Sequence, residues 1–119
     1  MTRADLSYLD PEGTFLLRMT QDRLGLTALA RGLWDVTPDE TQTRLTEIEV
    51  LAHRLGGAAG TFGYPAVSTA SLELEDRVAL RQEAAGSLGY RLAIDNALAG
   101  LLSALGDALE VDGASNNSA

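Results

Sequence analysis

The 119-residue chain has no cysteine, three prolines, one histidine and nine basic residues. The lack of cysteine excludes disulfides, cysteine-ligated zinc and thiol chemistry, and suits a reducing cytoplasm. No unbroken apolar run reads as a membrane span, and the N-terminus lacks the basic, apolar and small-residue order of a signal sequence. Basic residues are outnumbered by seventeen acids, for a net charge of −8. Such a chain repels phosphate backbones and anionic bilayers, so neither nucleic acid nor a membrane is an expected partner. Ordinary solubility accounts for the charge. Strand-like alternation of apolar residues is missing throughout, and the length suits one domain with a modest core.

What is present is helical punctuation. Asp10-Pro11-Glu12 offers a cap acceptor, a proline at the first helical position and an acid in the first turn. It predicts a helix from about Pro11 to Trp34, with Phe15, Leu16, Met19, Leu26, Leu29 and Leu33 as its apolar members. Thr37-Pro38-Asp39-Glu40 is a capping box that opens a second helix. Its inward stripe is Leu45, Ile48, Ala52, Leu55, Ala59 and Phe62, and the steps alternate three and four as in a bundle seam. Gly63 suits the left-handed end of that helix, and Pro65 starts a third with Val67, Ala70, Leu74 and Val78 inward, running out near Glu83. Ser87 caps the last helix, which reaches about Glu110 with Ile94, Leu98, Leu101, Leu105 and Ala108 inward. The expected fold is all-α: an antiparallel up-and-down four-helix bundle over residues 1–111. A short N-terminal segment, either loose or folded over one end by Leu6, Tyr8 and Leu9, and a small, polar, disordered tail at 112–119 complete it.

His53 stands out in this frame. With Ala52 and Leu55 buried, it lies roughly 100° and 160° from them and should be exposed. Thr46, Glu49, Gly56, Gly57 and Gly60 are expected on the same outer face. Each helical glycine costs about 1 kcal/mol relative to alanine, and a plain surface helix would carry Glu, Lys or Ala instead. Helix packing could use small residues too, but Ala58 and Ala59 fit that role better on this reading. A bare face around one imidazole lets a bulky partner approach closely.

The run Ala52-His53-Arg54-Leu55-Gly56-Gly57-Ala58-Ala59-Gly60-Thr61-Phe62-Gly63-Tyr64, followed by Leu74-Glu75, resembles the motif of histidine-containing phosphotransfer (Hpt) domains. In particular it is similar to the phosphoryl-accepting domain of chemotaxis histidine kinases. The resemblance covers about 25 residues on two helices. It implies that His53 is phosphorylated in a two-component phosphorelay and that Glu75 orients the imidazole from the neighbouring helix. An exposed neutral imidazole is a competent nucleophile, and a carboxylate on Nδ1–H would leave Nε2 to attack. The implied partners are the receiver domain of a response regulator or a hybrid histidine kinase, docking on Glu49, Arg54, Gly56, Gly57 and Gly60.

Phosphoryl transfer usually uses Mg²⁺, yet the chain has no phosphate loop and no carboxylate cluster suited to a metal. No cofactor or metal site is therefore expected here; Mg²⁺ belongs to the partner, and the chain is a carrier rather than an enzyme. A cytoplasmic, free-standing monomer is expected. One departure matters: the family usually has lysine three residues after the histidine, where this chain has Gly56. Arg54 points about 100° away, and Arg77 and Arg81 do not share the face of Glu75. Lysine at 56 is expected to restore the charge at no cost to the fold. The alternatives are a degenerate adaptor that docks without transferring phosphate, and an unrelated bundle whose glycine face serves dimerisation.

Overall fold

The structure, a computed structural model, describes residues 13–80 and 87–117, with side chains described through Glu110. Four helices follow in order: α1 (Thr14–Ala30), α2 (Pro38–Thr61), α3 (Pro65–Ala79) and α4 (Leu88–Asn117). Each packs on its neighbours in the chain and α4 closes on α1, with α2 and α3 the most extensively packed pair. This is the expected all-α four-helix bundle; no strand occurs among the described residues.

The caps work largely as the side chains dictate. The Thr37 hydroxyl accepts from the Glu40 N–H at 3.2 Å, with Pro38 at the first helical position. The Ser87 hydroxyl accepts from the Tyr90 N–H at 3.0 Å. At the end of α2, Gly63 takes φ 86°. There the Tyr64 N–H reaches the Ala59 carbonyl at 2.8 Å and the Gly63 N–H the Gly60 carbonyl at 3.4 Å. That paired closure is the Schellman arrangement, and Pro65 then starts α3 at once.

Several helix boundaries differ from the sequence reading. α1 starts after Gly13 and stops at Ala30 rather than Trp34, because Gly32 adopts φ 66° and turns the chain. Leu33 stays buried all the same, and the Trp34 indole donates to Asp95 of α4 at 2.9 Å. α3 ends at Ala79, short of Glu83. The α4 backbone is helical through Asn117, past the expected end near Glu110. The Asp10-Pro11-Glu12 cap, the segment holding Leu6, Tyr8 and Leu9, residues 81–86, the tail's side chains and residues 118–119 lie outside the described residues.

The core follows the stripes. Phe15, Met19, Leu26 and Leu33 of the first stripe are buried, as are Leu45, Ile48, Ala52, Leu55 and Ala59 of the second. Val67, Leu74 and Val78 come from α3, and Ile94, Leu98, Leu101, Leu105 and Ala108 from α4. Leu16, Leu29, Phe62 and Ala70 are half-buried against that core. Burying each large side chain contributes about 1.5–3 kcal/mol, so the seam dictates which way α2 and α3 face. Leu88–Glu110 has a mean hydropathy of 1.3 and the length to cross a membrane, which the sequence reading did not expect. Its inward stripe is nevertheless spent on the bundle core.

Candidate functional site

Burial of Ala52 and Leu55 turns His53 outward, and its side chain is 70% exposed. Burial of Leu74 and Val78 on α3 leaves Glu75 at the edge of the α2–α3 groove, 26% exposed. The two meet there, with Nδ1 of His53 2.7 Å from Oε2 of Glu75. A carboxylate accepts, so in the neutral ring Nδ1 carries the proton and Nε2 holds the lone pair on an exposed imidazole.

The antiparallel register extends from this pair. Three residues on from His53 and three back from Glu75, Gly56 lies under Leu72; a further four each way, Gly60 lies beside Ser68. The Ser68 hydroxyl donates to the Gly56 carbonyl at 2.7 Å, tying α3 to the α2 backbone. Gly56 itself is buried. A Cβ built there would stand 2.8 Å from Leu72 Cδ2, 3.0 Å from its Cγ and 3.4 Å from Ser71 Cβ. Gly56 is therefore not on the outer face with His53, as expected from the sequence, but a notch that lets α3 lie close. Lysine at 56 would have to push Leu72 aside, so the expectation of a cost-free substitution is overturned.

The remaining expected residues fall in different places. Gly57 is exposed with nothing within 4 Å of a built Cβ, and Gly60 is exposed with only Ser68 beside it. Glu49, one turn before His53, is half-buried. Arg54 is exposed and acts on Asp22 of α1: burial raises the Asp22 carboxyl above its ordinary value, and Arg18 and Arg54 partly oppose that rise. Oδ2 of Asp22 has Arg18 Nε at 3.8 Å, too long for a hydrogen bond. Arg54 thus lies near enough to α1 to act on Asp22, whereas Glu75 reaches His53 from α3. The chain contains no lysine; all nine basic residues are arginines.

Sequence reasoning missed Leu72, Ser68 and the fully buried Ser71. The signal was available in the register, since pairing residue 53 with 75 in an antiparallel hairpin brings 56 opposite 72. Measured from the middle of the α2 seam rather than from His53, Gly56 lies only roughly 70° away, Gly57 about 170°.

The family model of the Hpt domain matches residues 13–108. The chain belongs to the Hpt family. Members of this family act in histidine phosphotransfer within phosphorelays, as carriers of the phosphoryl group that interact with receiver domains and kinases. Neither the curated proteins nor the solved structures returned a match. In this Hpt domain the matched residues span all four helices but stop short of the end of α4.

Proposed function

We propose that this Hpt domain carries a phosphoryl group on Nε2 of His53, taking it from, and returning it to, receiver-domain aspartates or a histidine kinase. The observation that carries the reading is an imidazole 70% exposed whose other nitrogen lies 2.7 Å from a carboxylate. In the accepting step Nε2 attacks the phosphorus of an aspartyl phosphate. The P–N bond forms as the P–O bond breaks, the aspartate leaves as carboxylate, and the reverse step discharges the carrier. Glu75 holds the Nδ1 proton, fixes the tautomer and offsets the positive charge that grows on the ring as Nε2 is phosphorylated. Mg²⁺ belongs to the receiver, where it neutralises charge on the transferred group. On this reading the chain is a substrate of its partners, not a catalyst, and acts as a cytoplasmic monomer.

The degenerate-adaptor reading has two observations in its favour: Leu72 occupies the space above Gly56, and no lysine exists to offset phosphoryl charge. A single experiment separates the two. Purified protein is offered a phosphorylated receiver, and separately phosphoramidate, in which Nε2 displaces ammonia from phosphorus. Acid-labile, base-stable phosphate on the wild type, absent from His53→Gln with unchanged helical circular dichroism, is the expected result. Label retained in His53→Gln, or no label from either donor on the wild type, defeats the carrier reading.

A further inference from the structure

We propose that Leu72 is a specificity-determining contact for the receiver partner, an apolar knob set in the Gly56 notch beside the phosphorylated ring; this rests on the carrier reading of His53. Any donor or acceptor must bring phosphorus within bonding distance of Nε2. Its surface therefore covers what stands within one helical turn of His53 on both helices. On α3 that is Leu72, one turn back from Glu75 and opposite Gly56.

An exposed leucine alone means little. Leu72 differs because it fills the space that Gly56 leaves open. Its Cγ and Cδ2 lie where the side chain of any residue but glycine at 56 would begin, within 3.0 Å of the built Cβ. The rest of the residue stays open, 43% exposed. The side chain is thus gripped at its inner side by α2 and offered to solvent at its outer side. Around the ring, Val50 is 51% exposed one turn back and Gly57 is open one turn ahead. Arg54, next to His53 in the chain, is close enough to Asp22 of α1 to favour its charged form. A partner landing on His53 meets Leu72, Val50 and the bare backbone at Gly57, with half-buried Glu49 one turn back and the Glu75 carboxylate already hydrogen-bonded to the ring. The surface that fits is an α/β receiver that is apolar and uncharged where it meets Leu72. A charged side chain seated on Leu72 itself would be desolvated against an apolar surface.

The test uses the full chain, with the receiver that the wild type phosphorylates fastest chosen from a panel of purified receiver domains. Leu72→Ala removes the knob. Leu72→Lys keeps an aliphatic stem over the notch but ends in a cation. Both are expected to weaken receiver binding by roughly tenfold or more, lysine the more severely. Helical circular dichroism and the rate of His53 labelling by phosphoramidate should stay at the wild-type level, because neither needs the docked partner. Binding or transfer by Leu72→Lys equal to or faster than wild type would overturn the proposal, since the site would then only lack charge. Unchanged binding by Leu72→Ala, or a wild type that binds no receiver in the panel, overturns it too. Failure of phosphoramidate to label the wild type would instead strike the carrier reading, while the binding arm would still judge Leu72.

Discussion

Gly56 and Gly57 are adjacent in α2, yet alanine should stabilise the domain at 57 and fail to do so at 56. Both substitutions relieve the same helix-propensity penalty, a gain of about 1 kcal/mol. At Gly57 nothing lies within 4 Å of the new methyl, so the gain is realised in full. For a domain of this size that raises Tm by roughly 3–6 °C. At Gly56 the methyl would sit 2.8 Å from Leu72 Cδ2, 3.0 Å from Cγ and 3.4 Å from Ser71 Cβ. The obstacle is Leu72: its tip can swing, but Cγ at 3.0 Å clears the methyl only if the whole side chain leaves the groove, whereas Ser71 Cβ at 3.4 Å is in ordinary contact. Overpacking of this kind costs about 1–3 kcal/mol. Gly56→Ala should therefore end between no change and roughly 2 kcal/mol less stable. In a Leu72→Ala background the obstacle is gone, and the same substitution should stabilise. The assay is thermal and urea unfolding followed by circular dichroism on the wild type, the three single variants and the Leu72→Ala/Gly56→Ala double variant. Equal stabilisation at 56 and 57 in the wild-type background would refute the notch, and with it the fit between α2 and α3 described above.

Two other expectations test the site and its flank. Glu75→Ala should slow phosphoryl acceptance by His53 about 10–100-fold, with Glu75→Gln closer to wild type because its amide oxygen still accepts from Nδ1–H; acceptance by the alanine variant at the wild-type rate would remove Glu75 from the mechanism. Asp22 has its pKa raised by burial in the folded state, so its ionised form opposes folding, and stability linked to its proton is present below the ordinary value of 3.8 and lost as pH rises through the folded pKa. Asp22→Asn should thus match or exceed the wild-type Tm at pH 7 and lose that advantage on acidification into the carboxylate range, and a lower Tm at pH 7 would show that Arg18 and Arg54 outweigh burial.

Much of this arrangement was readable before any coordinates. Stripes of leucine and isoleucine on α2 and α4 gave the buried faces residue by residue, because a period of three and four has one solution on a helix. Thr37, Ser87 and Gly63 marked helix ends through local hydrogen bonding, which depends on few neighbours. The outward placement of His53 followed from Ala52 and Leu55. Gly56 was misplaced because one helix's periodicity tells inside from outside but not which flank a neighbour covers. The premature end of α1 was hidden for a related reason: Leu33 keeps the apolar rhythm although Gly32 has already turned the chain, so periodicity ran on where helix did not. Nor could spacing say that Arg54 comes near the half-buried carboxylate of Asp22 on α1.

The tight turn at 62–64 makes the phosphorylation site a matter of chain length. Its two backbone hydrogen bonds and the left-handed Gly63 leave no slack between α2 and α3. Inserting one residue there would advance α3 by about 100° about its own axis, carrying Glu75 off the groove and lifting Leu72 from its notch together. Residues 31–37, joining α1 to α2, place neither His53 nor Glu75. Variation in loop length among related chains should therefore be abundant in that connection and all but forbidden in this one, a pattern that a set of homologous sequences would reveal by gaps alone.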